Sequence, residues 1–244
     1  MPALSRRAAI AGASALGAAL GLGGCARNAP SAQNELRGTL DPGFAGGVPS
    51  NYLAMYGPAD GGRFPIPAVN LSTVDSAFLR REIPYATREA PGTIVIDPPQ
   101  HYLYFVLQGG RAMRYGVGVG GEGFAWSGIA TVHDKQEWPD WYPPPEMLQR
   151  RPELRKDMVT LQSGIGMPGS PRNPLGARAM YLWQGNRDTL YRIHGTNEPH
   201  TIGRSVSSGC VRMINQDVID LYQRTPVGAK VAVLAVASAS ARSG

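Results

Sequence analysis

Cysteine is nearly absent. The 244 residues hold two, Cys25 and Cys210, which excludes a disulfide-stapled scaffold and leaves one intramolecular pairing at most. Neither Cys-x-x-Cys nor His-x-x-x-His spacing occurs, so no zinc-finger or helical metal motif is spelled out. The net charge is +6, yet there is no Lys/Arg block and no interleaving of aromatic with basic residues. That pattern excludes a conventional nucleic-acid binder and leaves an anionic polymer, a membrane surface or a merely solvated basic face. A strongly apolar run of roughly 20 residues, the signature of a spanning helix, is missing too. No internal repeat is visible. What is plentiful is Gly (31) and Pro (21), in a chain that is 43% hydrophobic and 17% charged. This is a folded-protein composition, and it favours a turn-rich β architecture over a helical bundle.

The first residues carry an address. Ser5-Arg6-Arg7 precedes an uncharged stretch from Ala8 to Gly24, closed by Leu22-Gly23-Gly24-Cys25. A basic start and a moderately apolar core are the pattern of an export signal. The paired arginines resemble a twin-arginine signal, and the closing tetrad resembles a lipobox whose Cys25 is lipidated. The alternatives are cleavage a few residues downstream, which discards Cys25, or a Cys25–Cys210 disulfide. Residues 1–24 are thus expected to be a signal and residues 25–90 a tether with an N-terminal strap. The Gly-, Pro-, Ser- and Asn-rich stretch to about Gly62 forms the tether proper. The chain is expected to be exported, periplasmic and lipid-anchored to a membrane, with a folded domain at 91–237 and a disordered tail at 238–244.

Within the domain, strands are predicted at Thr93–Ile96, Tyr102–Leu107, Arg111–Val119, Ile129–His133, Lys135–Trp138, Ala177–Gln184, Thr189–His194 and Lys230–Val236. Gly116, Gly118 and Gly120 share one face of a strand, which predicts close approach of another backbone or of a ligand. A phosphate-binding loop is disfavoured, because no Lys/Ser ending and no helix follow. Residues 138–174 form a long aromatic- and Pro-rich insertion, read either as a lid over an extended substrate or as a surface cap, with a short helix at 145–150. Asn215 is a candidate N-cap for a helix over 216–224. The class is mainly β, a sandwich or mixed sheet with a few short helices.

The chemistry concentrates in Ile193-His194-Gly195-Thr196-Asn197 and Ser207-Ser208-Gly209-Cys210-Val211-Arg212. A nucleophile needs a thiolate, a base and oxyanion donors. Cys210 with His194 supplies the first two, and the Gly209 and Cys210 amides, at a glycine turn, can supply the third. A buried inert cysteine, or a metal cluster of Cys210, His194 and His200, are the other readings of the same residues.

This window resembles the active-site motif of the L,D-transpeptidase (YkuD-type) family. The likeness lies in His-Gly-Thr-Asn, the gap from His194 to Ser207 and Ser-x-Gly-Cys-x-Arg. It runs from about Pro91 to Val236 and includes Asn173-Pro174-Leu175-Gly176. The resemblance implies a YkuD-like β fold and a cysteine enzyme that needs no metal or cofactor. It implies Cys210 as nucleophile, His194 as base, Gly195 orienting His194 through its carbonyl, and Gly209 in the oxyanion hole. Arg212, Ser207, Ser208, Asn197, Trp138 and Tyr181 become the substrate-binding candidates. The expected partners are peptidoglycan stem peptides and an amine-bearing acceptor, with no nucleic acid. A hydrolase using the same residues, or a non-catalytic wall-binding lipoprotein, are the competing functions. Ser208 stands where many members have histidine, which leaves the base role to His194.

Overall fold

Strand alternation builds the molecule. In Tyr102–Val106 (β3), Leu103 and Phe105 turn into the core while Tyr102 and Tyr104 turn outward, the period of two that a half-buried sheet demands. The computed structural model describes residues 48–120, 126–207 and 210–235. These belong to one compact unit spanning Leu40–Gly244. The export signal, Cys25, residues 26–47 of the tether and the tail from 238 lie outside the described residues.

The other strands are β1 (Arg81–Pro84), β2 (Ile94–Asp97), β4 (Arg111–Gly116), β5 (Val119–Gly120), β6 (Gly128–Glu137), β7 (Val159–Leu161), β8 (Gly164–Gly166), β9 (Arg178–Gln184), β10 (Arg187–His194), β11 (Ser205–Ser207), β12 (Val211–Arg212) and β13 (Lys230–Val233). Nine of them form one mixed sheet, ordered β1-β4-β3-β2-β13-β6-β9-β10-β12. The pairs β2/β13 and β10/β12 are parallel and the rest antiparallel. Just beyond β4, Gly118 exchanges two backbone hydrogen bonds with Arg212 in β12, at 2.9 and 2.8 Å, so the segment after β4 is tied to the strand at the far edge of the sheet. Two smaller pairs, β5/β11 and β7/β8, complete the set. The expectation of a mainly β protein with a mixed sheet and few helices holds.

The inner face buries Ile94, Ile96, Leu103, Tyr115, Val132, Met180, Leu182, Ile193, Val211 and Val231. Each large aliphatic side chain removed from water contributes about 1.5–3 kcal/mol. The helix Asn215–Arg224 (α3) closes this core with Val218 and Leu221. Its last turn is held by Lys135, whose ammonium donates to the Tyr222 and Thr225 carbonyls at 2.7 and 2.6 Å. Cations favour that end of a helix.

Two expectations need correction. Residues 48–62 do not behave as a free tether. After the short helix Ser50–Met55 (α1), Tyr56 is buried to 1% exposure and packs with Leu71, Val74, Leu79, Ile202 and Ile214. Its hydroxyl donates to Asp217 of α3, and Arg80 pairs with both Asp217 and Asp220. Nor does Asn215 cap α3 with its side chain. The helix includes it, Ile214 sits at the cap position without a side-chain bond, and the Asn215 Oδ1 is engaged elsewhere. The close approach inferred for the glycines holds at Gly116 and Gly118. A Cβ on Gly116 would collide with the Phe78 backbone, and one on Gly118 would press against the Thr201 carbonyl.

Candidate active site

The strands β10 and β12 lie side by side in parallel, with Ile193 opposite Val211 and His194 opposite Arg212. Because side chains alternate, Ile193 and Val211 face the core, which sends His194 and Arg212 to the other face. Continuing the register one step before β12 puts Cys210 opposite Arg192, on that same face. His194 and Cys210 are therefore diagonal neighbours, about 8 Å apart at Cα from strand spacing and rise. Strand alternation and one parallel pairing bring together residues sixteen apart in sequence.

His194 is 5% exposed. Its Nδ1 lies 2.6 Å from the Gly195 carbonyl. A carbonyl only accepts, so Nδ1 carries the proton and Nε2 is the lone-pair nitrogen. Burial pulls the imidazole down to about 4. The Gly195 and Leu175 carbonyls act against that shift, while the charges of Arg212 and Arg192 reinforce it. Cys210 is half-buried. Burial pushes its thiol up, opposed by the Arg192 backbone N–H, which donates to it, and by the charges of Arg192 and Arg212. At neutral pH burial thus holds both the imidazole and the thiol toward their neutral forms.

Around this pair, Arg212 faces Glu198 at 3.6 Å. The Arg192 guanidinium forks onto both Asp188 carboxylate oxygens at 2.8 Å and lies over the Tyr181 ring. The Tyr181 hydroxyl donates to Gln136 at 3.1 Å. Among the described residues, no group of three or more His, Cys, Asp or Glu is arranged to hold a metal ion, and His200 is exposed.

Glycine is required at two points here. Gly176 has φ +64°, and a Cβ there would lie 2.6 Å from the Thr196 nitrogen; a Cβ on either Gly176 or Gly195 would overlap the Asn215 Oδ1. Ahead of Gly176, buried Asn173 donates through Nδ2 to the Pro139, Met167 and Pro168 carbonyls and accepts from the Leu175 N–H. One side chain thereby closes the base of the 138–174 insertion and sets the approach to residue 175. That insertion carries the helix Pro145–Arg150 (α2) and the β7/β8 hairpin.

Arg212, Tyr181, His194, Gly195 and Cys210 are all at or beside this face. Asn197 is exposed and donates to the Arg172 carbonyl at 3.0 Å, which ties the His194 loop to the insertion. Ser207 pairs through its backbone with Gly120; Ser208 and Gly209 lie outside the described residues. Trp138 is misplaced as a substrate contact. It is 4% exposed, its indole N–H donates to the Gly61 carbonyl at 2.7 Å, and its ring packs edge-on against Phe64. Arg192 went unnoticed in the sequence, although counting back two residues from His194 along a strand puts it on the same face.

Residues 91–233 match the model of the YkuD L,D-transpeptidase catalytic domain, and the chain belongs to that family. It is 32% identical over 155 residues to the probable L,D-transpeptidase ErfK/SrfK of Salmonella typhimurium, covering 62% of this chain and 46% of that one. The protein of the same name in Escherichia coli K12 is 33% identical over 144 residues, covering 58% and 43%. The chain spans less than half the length of these relatives. Among solved structures, a Brucella melitensis protein described as a probable carnitine operon oxidoreductase is 48% identical, covering 68% of this chain and 99% of that one, with a TM-score of 0.42; the description is of the Brucella protein.

Proposed function

We propose that the protein is an L,D-transpeptidase acting on peptidoglycan tetrapeptide stems through a Cys210 thioester. The observation that carries the reading is the shared face of His194 and Cys210, with the Nδ1 proton committed to Gly195 so that Nε2 can act as base. His194 Nε2 takes the thiol proton as Sγ attacks the carbonyl of the L,D bond, and the oxyanion is met by the Gly209 and Cys210 amides. The C–N bond breaks, the proton passes from Nε2 to the departing D-Ala amine, and the thioester remains. An acceptor amine then attacks the thioester and gives its proton to His194, which returns it to the sulfur. A neutral resting pair makes His194 a true general base, an effect generally worth 10²–10⁴-fold. Arg212 takes the part of meeting a substrate carboxylate, a role its charge and its position on the His194 face support. Export, and anchoring through Cys25, belong to the same proposal and rest on the leader sequence; globomycin-sensitive processing with lipid on Cys25 is the expected result.

Intact-mass measurement after incubation with a stem tetrapeptide or a carbapenem tests the chemistry. A covalent adduct on the wild type that is absent from Cys210→Ala is expected, and an unmodified wild type overturns the reading. Analysis of the released peptides separates transfer, which yields dimers, from hydrolysis, which yields only shortened monomers.

A further inference from the structure

We propose that Asn215 is a positioning residue for His194: its Oδ1 is wedged between the chain segment 175–177 and Gly195, whose carbonyl holds the imidazole ring. The inference rests on the function proposed above for its kinetic consequence, but not for its structural one.

Asn215 opens α3, only five residues beyond Cys210, and its side chain leaves its own helix. Its Oδ1 accepts from the Ala177 N–H at 3.0 Å. The same oxygen occupies the space that a Cβ would take on Gly176 and on Gly195. It therefore touches two segments at once: 175–177, which leads into β9, and 195–196, which leaves β10. The second segment carries the Gly195 carbonyl that bonds His194 Nδ1, and the first carries the Leu175 carbonyl, whose dipole lies close enough to raise the imidazole's proton affinity. Backbone bonds also hold these segments: Gly195 donates to the Arg178 carbonyl at 3.0 Å, Met213 donates to the His194 carbonyl at 2.8 Å, and Trp138 donates to the Ala177 carbonyl at 2.9 Å. Asn215 adds a side-chain oxygen wedged between the two glycines, bonded to the Ala177 N–H on one side and packed against Gly195 on the other. Both glycines give up a side chain to make room for it, and Gly176 adopts a left-handed φ as well. An amide oxygen suits the position because a partly buried N–H needs an acceptor, and a neutral one leaves the imidazole's proton affinity unperturbed.

With Asn215 replaced by Ala, the Gly195 carbonyl is free to drift. A drift of about 1 Å relaxes the hold on Nδ1–H, lets the other tautomer appear, and turns Nε2 away from the thiol. Misplacement on that scale costs on the order of 10²-fold.

The test compares Asn215→Ala and Asn215→Asp with the wild type, using the histidine-labelled full chain. Nitrogen-15 NMR of His194 is expected to report a single Nδ1–H tautomer in the wild type and in Asn215→Asp, and a mixture in Asn215→Ala. Kinetically, Asn215→Ala should lose about 10–100-fold in kcat, with KM changed less than twofold. Asn215→Asp retains the acceptor, so it should keep most of kcat while its nearby negative charge moves the acid limb of the pH profile upward. An unchanged tautomer in Asn215→Ala, or a kcat loss matching only the unfolded fraction, overturns the proposal. If Asn215→Ala does not fold, Asn215→Asp and Asn215→Ser carry the same comparison, and a wild-type tautomer with full kcat in Asn215→Ser overturns it. If the protein proves to have no transpeptidase activity, the NMR arm still decides.

Discussion

The protonation of the Cys210–His194 pair yields the sharpest prediction. Burial pushes the Cys210 thiol above its usual range, about 8.5 for an unperturbed cysteine. At pH 6 no more than roughly 0.3% of molecules carry a thiolate on that reference value. His194, held near 4, is uncharged in all but about one molecule in a thousand at pH 7. Alkylation of Cys210 by iodoacetamide needs the thiolate and no base catalyst. Its rate constant should therefore climb about tenfold per pH unit, close to 100-fold between pH 6 and pH 8. His194→Ala should leave that slope intact while lowering acylation by a carbapenem by 10²–10⁴-fold, the range for losing a general base. Stopped-flow alkylation over pH 5–9 beside carbapenem acylation at pH 7.5 gives both numbers. A preformed thiolate–imidazolium pair gives the opposite picture, an alkylation rate constant flat within twofold from pH 5 to 8. That result would falsify the neutral-pair mechanism.

Two further predictions concern stability. His194 is depressed from 6.5 to about 4, so the fold loses stability as pH falls from about 6.5 to 4. Asp217 is raised from 3.8 to about 7 by burial, against the pull of Arg80, so the fold loses stability as pH rises from 3.8 to 7. In their shared window the slopes oppose, each about 1.4 kcal/mol per unit. Urea midpoints should then be nearly level for the wild type, fall with rising pH in His194→Ala and rise with pH in Asp217→Asn; two variants with the same sign of slope refute this. Asn173→Ala strands the Pro139 and Pro168 carbonyls and the Leu175 N–H, while the Met167 carbonyl keeps the Trp141 N–H, and should cost about 3 kcal/mol in denaturant unfolding, whereas a loss under about 1 kcal/mol would mean that solvent reaches those groups.

Most strands were legible because their apolar residues alternate. Where alternation breaks, the sequence misleads. The strand β6 reads as two pieces, and the reason is its register shift between Val132 and Asp134, which moves every later side chain by one step. The strand β1 is hidden by Pro84 and charged neighbours, since it lies at the sheet edge where proline is tolerated. The packed segment 48–62 looks like a linker because its anchors, Tyr52 and Tyr56, are the only aromatics among its small, polar and turn-forming residues. Trp138 illustrates the reverse error. An aromatic in a Pro-rich insertion suggests a ligand platform, but the carbonyl that claims its N–H comes from Gly61, 77 residues away. Cys210, His194 and Arg212 stood out through the resemblance of their window to the family's motif, which the residues alone left open to a buried cysteine or a metal cluster. Asn215 was not, because an Asn before a helix is equally well explained by a local cap, and only the fold brings Ala177 to its oxygen.

The bridge from Gly118 to Arg212 has a consequence for biogenesis. It joins residues 94 positions apart, and its β12 end adjoins Cys210. Contacts this distant form late, after the loop between them has closed. Under the proposed mechanism, a partly folded chain has no aligned base for its sulfur, and completion of the domain itself switches the site on.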